Sequence, residues 1–238
     1  NKRDGTYQDY QSVARFQSPT TSYISLTYDK YTKFTWDNTL NYNTKFGANE
    51  LTALIGSSTV KSVKEFTTTV GDAGPEHYYS SLFYDISKIG TPKSTSGYEQ
   101  FSMLSFFGRL NYSYAGKYLL TASVRRDATS PLATGNKSGN FPSISGAWRV
   151  SDESFMESSK SWLSNLKLRA SWGISGNAAI EPYQTLSALS GYDIYYTIGG
   201  KDIAGRIPSQ MGNTELKWET TDAINLGLDF GLFNNRIS

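Results

Sequence analysis

The sequence predicts an all-β fold, an antiparallel transmembrane β-barrel present in part, with about eight meander strands, short periplasmic turns and long extracellular loops. Three observations carry that expectation. Apolar and polar residues alternate with period two in several runs, the pattern of strands with two unlike faces. Aromatic rings, 14 % of the chain, gather towards the ends of those runs. Short and long connections alternate so that the long loops fall on one side, as in the barrels of bacterial outer membranes.

Eight strands are expected, near 22–28, 34–45, 50–57, 101–114, 118–127, 141–150, 163–175 and 217–230. From Phe34 the even positions read Phe34, Trp36, Asn38, Leu40, Tyr42, Thr44, Phe46, against a wholly polar odd row from Thr35 to Lys45. In the fourth run Leu104, Phe106, Leu110, Tyr112 and Tyr114 oppose Ser105, Arg109, Asn111 and Ser113, with Phe107 breaking the polar row. Alternation resumes at Tyr118, Leu120, Ala122, Val124 and at Ile144, Gly146, Trp148, Val150. The clearest run sets Leu166, Leu168, Ala170, Trp172 and Ile174 against Asn165, Lys167, Arg169, Ser171 and Gly173. Helical spacing cannot produce it. Near the end, Ile224, Leu226, Leu228 and Phe230 face away from Asn225, Gly227 and Asp229, and Asp222, in register with the apolar row, must lie beyond the apolar band.

The connections 58–100, 128–140 and 176–216 are long, 115–117 is short, and 151–162 is of medium length. The short stretch 29–33, DKYTK, falls on the long-loop side and is the exception. In 151–162, Ser151 is placed to cap a helical turn with Asp152 and Glu153 at its positive end. A hairpin of 183–189 with 192–198 is expected inside the last long loop.

A soluble β-sandwich shows the same period. Two features favour the membrane barrel. Tyr112, Tyr114, Tyr118, Trp148 and Trp172 are expected at the membrane interface, where amphipathic rings settle. Arg109, Asn111, Lys167 and Arg169 suit a wet lumen.

Composition excludes several classes. The mean hydropathy is −0.45, and no run approaches the roughly 18 apolar residues of a membrane helix. Lys+Arg at 23 against Asp+Glu at 21 gives +2, without the basic stripe of a nucleic-acid binder. Zero cysteines removes disulfides, thiolate metal sites and cysteine nucleophiles, and His77, the single histidine, builds no multi-histidine metal centre. No metal, cofactor or catalytic residue is expected. The S-x-x-K string at 58–61 lacks its companion motifs, Gly199, Gly200 and Gly205 read as turn glycines, and Asp152, Glu153 and Glu157 read as helix-end acids. The chain opens at Asn1 without initiator Met, charged n-region or apolar h-region, and so reads as an internal piece of a longer protein.

The run FFGRLNYSYAGKYLLTASVRRDATSPLATGNKSGNFPSISGAWRVSDESFM resembles the barrel of the SusC/RagA group of TonB-dependent outer-membrane transporters. The resemblance continues, in order, through SNLKLRASWGISGN, GNTELKWETT and INLGLDFGLFNNRIS, and more weakly in FTWDNTLNYNTKFGANELTALIG. It implies a barrel of about 22 strands with a plugged lumen, energised import of glycans or peptides in Bacteroidetes-like bacteria, and a SusD-like surface lipoprotein over the barrel. It implies contact with outer-membrane lipids, with the TonB complex through N-terminal residues not present here, and with an oligosaccharide or peptide substrate, but not with nucleic acid. Residues 1–238 are then part of one outer-membrane β-barrel domain. Tyr78, Tyr79, Phe83 and Tyr84 in one exterior loop, and Tyr192, Tyr195 and Tyr196 in another, become candidates for ligand or lid contact. Two alternatives stay open: a passive porin or small closed barrel of eight strands, and a soluble sandwich that binds carbohydrate or acts as an adhesin.

Overall fold

The structure, a computed structural model, describes residues 2–8, 23–72, 90–190, 195–233 and 236–237. Eight strands form one antiparallel meander: β1 (Lys2–Gln8), β2 (Tyr23–Phe46), β3 (Asn49–Asp72), β4 (Gly90–Tyr114), β5 (Tyr118–Thr129), β6 (Ser138–Arg149), β7 (Leu163–Asn177) and β12 (Glu219–Leu232). Between β7 and β12 lie four short strands, β8 (Ala188–Ser190), β9 (Tyr195–Ile198), β10 (Lys201–Ala204) and β11 (Ile207–Gln210).

Backbone packing divides the chain into two units, Asn1–Phe34 with Lys61–Phe101, and Thr35–Val60 with Ser102–Ser238. The first holds β1 paired with the start of β2, from Lys2 opposite Asp29 to Gln8 opposite Tyr23. This corrects the expectation of a connection at 29–33. The charged residues that read as a turn are cross-strand partners: Lys30 Nζ lies 3.0 Å from Glu65 Oε2 of β3. The runs at 22–28 and 34–45 are therefore one strand, and the 29–33 exception disappears. Strand β3 continues to Asp72 and β4 begins at Gly90, so S-x-x-K at 58–61 lies within a strand. Hydroxyl ladders carry this stretch, Thr27 to Thr68 at 3.0 Å and Thr69 to Ser94 at 2.9 Å.

The second unit carries the clearest register. Tyr114 faces Tyr118 across the β4–β5 hairpin, Tyr118 faces Trp148, and Trp148 faces Leu168, which faces Leu228. Directly opposite residues share a face, so the apolar rows predicted separately align into one surface over five strands. The tight turns are built from left-handed residues, Gly47 (φ 58°) after β2 and Ala115 (φ 51°) with Gly116 (φ 70°) after β4. Each turn is tied to its neighbour by backbone: Ala115 N–H donates to Ala48 O at 2.7 Å, Arg149 N–H to Lys117 O at 2.8 Å, and Phe233 N–H to Trp162 O at 2.8 Å.

The β6–β7 connection is two 3-10 turns, Val150–Asp152 and Ser154–Ser159. Ser151 does not cap them. It sits buried inside the first turn with its hydroxyl 3.4 Å from Asp152 Oδ1, and the N-cap positions are Arg149 and Glu153. The expected hairpin of 183–189 with 192–198 is also corrected: β9 pairs with β10 and β8 with β11. Gly199 (φ 60°) and Gly200 (φ 75°) supply the two-residue turn that closes β9 on β10.

Candidate functional site

The second unit is a wall with two chemistries. Its apolar face contains Leu104, Phe106, Leu110, Leu120, Val124, Ile144, Leu168, Ile224, Leu226 and Leu228. It is open: Leu226 is 82 % exposed and Ile224 74 %. In a sandwich such rows would pack on an opposing sheet. No second layer covers them among the described residues of this unit.

Rings gather where this face meets the turns. Tyr114 and Tyr118 have centroids 6.2 Å apart, Tyr118 stacks on Trp148 at 6.3 Å, and Trp148 meets Phe155 edge-on at 6.5 Å. Glu153 organises the group. Its carboxylate accepts from Tyr118 OH (2.6 Å), Trp148 Nε1 (3.0 Å) and Lys117 Nζ (3.1 Å). The two aromatic donors, then Lys117, hold its pKa down to about 2. Tyr112 joins the same end through its hydroxyl, which donates to Asn49 Oδ1 at 2.6 Å. Trp172 sits four residues further along β7 than Leu168, and its indole N–H donates to Asp222 Oδ1 at 2.7 Å. The five expected interface aromatics thus share one face, four at the turn end and one towards the loops. Asp222, the carboxylate in register with the apolar row, is satisfied by that indole.

The other face is polar, and its residues line up in rows. Asn111 faces Thr121, which faces Ser145, then Ser171, then Asn225, one hydroxyl or amide per strand over five strands. Thr121 Oγ1 donates to Asn111 Oδ1 at 3.0 Å. A hollow of about 350 Å³ opens along this row between Thr121 and Asn225, with Arg169 on its edge. Asp229 pairs with Arg169 (2.6 Å) and Lys167 (3.7 Å), and Gly227 leaves room for the guanidinium, since a Cβ there would meet it at 3.1 Å. Arg109 is exposed on this face and unpaired among the described residues.

Phe107 breaks the polar row for a packing reason. Its ring covers Gly56 of β3, where a Cβ would stand 2.5 Å from it, and Arg125 lies over the ring at 5.5 Å. Arg125 also holds the buried Asp127 (2.7 Å) and Ser105 (2.9 Å). The sequence expectations leave out Asp127, give Glu153 only as a helix-end acid, and set Asp229 in the polar row of its strand without a partner. Asp229 was the findable one, because the alternation places it on the face of Lys167 and Arg169.

Beyond the loop end of β5 the molecule has a core of its own. Leu132 and Ala133 are 1 % and 2 % exposed. Ala133 N–H donates to Leu216 O (3.1 Å), Trp218 Nε1 donates to Lys137 O (3.0 Å), and Phe141 meets Trp218 edge-on at 5.1 Å. Of the loop aromatics, Tyr78, Tyr79, Phe83, Tyr84 and Tyr192 lie outside the described residues. Tyr195 and Tyr196 fall on β9, with Tyr196 exposed.

The family described as TonB dependent receptor-like, beta-barrel, matches residues 1–238. TonB-dependent receptor P26 of Formosa agariphila is 37 % identical over 204 residues, which is 84 % of this chain and 20 % of the relative. TonB-dependent receptor SusC of Bacteroides thetaiotaomicron is 38 % identical over 140 residues, 58 % of this chain and 14 % of the relative. A solved structure of the RagAB peptide transporter superimposes with a TM-score of 0.76 at 24 % identity, over 98 % of this chain and 25 % of that one. The chain therefore spans about a fifth of the length of the curated relatives it matches.

Proposed function

We propose, from the premise that the chain belongs to the TonB-dependent receptor β-barrel family and lies in the bacterial outer membrane, that it is a stretch of lumen wall in an energised importer of oligomeric nutrients. The observation that carries this reading is the wall with two chemistries. The apolar face meets lipid. The Asn111–Thr121–Ser145–Ser171–Asn225 row, with Arg109, Lys167 and Arg169 around it, faces the water-filled path. Rows of hydroxyls and amides exchange hydrogen bonds with the many polar groups of a glycan or a peptide and hold none tightly, which suits passage. The wall sets charge and hydrogen bonding, and no reaction is assigned to it.

A SusD-like lipoprotein covers the loop end in this reading, and the TonB complex drives import through parts of the protein outside these residues. The loop rings Tyr78, Tyr79, Phe83, Tyr84, Tyr192, Tyr195 and Tyr196 contact ligand or lid. The 37 % and 38 % identities to a P26 receptor and to SusC support the transporter class.

Single cysteines in the whole transporter test it, and this segment contributes none of its own. A membrane-impermeant thiol reagent is expected to label positions 121, 145 and 225 and to spare 144 and 226, with label at 225 blocked by an imported oligosaccharide or peptide. Equal labelling of both sets would sink the assignment of faces. The pair Tyr195→Ala and Tyr196→Ala is expected to weaken uptake or lid binding, and unchanged values of both would remove those rings from the site.

A further inference from the structure

Arg126 stands on the wrong face. By register it lies opposite Phe106 and Asn140, in the row of apolar side chains. It is exposed and, among the described residues, has no ion-pair or hydrogen-bond partner. Beside it opens a hollow of about 680 Å³ lined by Leu40, Ile55, Phe106, Gly108 and Val124. The hollow exists because Gly108 carries no side chain: a Cβ there would meet nothing nearer than 3.7 Å. Asn38 lies on the same rim. Its Oδ1 accepts from Trp36 Nε1 at 3.1 Å, which leaves its amide donors unused among the described residues.

We propose that Arg126 and this hollow bind one outer-leaflet lipid, the guanidinium holding a phosphate of lipopolysaccharide and the apolar trough an acyl chain. The inference rests on the reading that the apolar face meets lipid. A cation on such a surface is unfavourable unless it reaches the interface and finds an anion, and the guanidinium fork matches phosphate oxygens. Level and chemistry both favour the outer leaflet. Arg126 is eight residues from Tyr118 at the turn end, about 26 Å of strand, which is most of an apolar band about 25 Å tall even after tilt. The molecule also provides its own contrast, a second hollow of about 770 Å³ around Gly146, lined by Tyr118, Trp148, Leu168 and Leu226. Among the described residues no cation stands in the apolar row beside it: Arg169, which also lines it, belongs to the opposite, polar row and is engaged there by Asp229.

The test uses the whole transporter in detergent, with native mass spectrometry after adding diphosphoryl lipid A, the same lipid stripped of phosphate, or phosphatidylglycerol. Lipid A is expected to be retained about five-fold better than its dephosphorylated form, the size of one interfacial cation–anion contact. Arg126→Gln should abolish that preference and Arg126→Lys should keep part of it. Gly108→Leu should lower retention of both lipid A forms, while Gly146→Leu leaves the preference as it was. The inference is overturned by a preference that survives Arg126→Gln, by normal retention in Gly108→Leu, or by phosphatidylglycerol held through Arg126 as well as lipid A. Heat-modifiable mobility and surface labelling report insertion separately. A protein that never inserts overturns the barrel reading and this one with it, whereas an inserted barrel without Arg126-dependent retention overturns this one alone.

Discussion

Leu226 and Leu132 are the same side chain in opposite settings, 82 % exposed on the sheet face and 1 % exposed in the cluster at the loop end. Around Leu226 the backbone pairs with β7 along the β7–β12 ladder while the apolar surface is left open. Around Leu132 the chain folds over itself, and Ala133, Phe141 and Trp218 close a small core that owes nothing to the membrane. The sheet is thus completed by its solvent, and the loop cluster by its own residues. One part should respond to lipid and the other should not.

The largest effect is expected where the core is self-made. Leu132→Ala should cost about 2–5 kcal/mol of local stability through the cavity it leaves. It should show as protease nicking within 130–137 to the same extent in detergent and in bilayers, and a dependence on lipid would break the contrast. Leu226→Arg should cost about 2–4 kcal/mol, read as lost insertion in urea titrations with liposomes. Comparable damage to the loop cluster would blur the two regions. Gly176→Ala probes their border, because a Cβ there would sit 2.1 Å from the Phe141 ring. Shifting a ring already packed on Trp218 should cost about 1–3 kcal/mol, visible in the near-ultraviolet dichroism of Trp218. The smallest change concerns the turn end. With the Glu153 carboxylate held near 2 against an ordinary 4.5, its contribution is complete above about pH 4.5 and fades as pH falls towards 2. Trp148 fluorescence should follow that fall in the wild type and stay flat across the window in Glu153→Gln.

The sequence made the sheet legible wherever one face was uniformly greasy. Strands β5, β6, β7 and β12 stand close to where the alternation puts them, and the shared face of Arg109, Asn111, Lys167 and Arg169 is the polar one. Legibility failed where local chemistry had a distant partner. Lys30 looked like a turn residue because its partner Glu65 is remote in sequence. Phe107 looked like an error in the polar row because Gly56, the slot it fills, is on another strand. Ser151 had the residue type of a cap, yet Glu153 holds the turn through three donors from β5 and β6 and the loop before them. Of the long loop, only the two glycines of the β9–β10 turn could have set the pairing.

The backbone ties from turn to turn also bear on how the wall assembles. A strand that slips by one residue turns every side chain to the wrong face, and hydroxyl ladders alone would tolerate such a slip poorly but not forbid it. Ala115 to Ala48, Lys117 to Arg149 and Trp162 to Phe233 form a hem along one border. Each incoming hairpin has a single position at which its hem bond closes. The border with the shortest connections thereby carries a check on the phase of each strand, closed only in the register that puts the apolar row on one face.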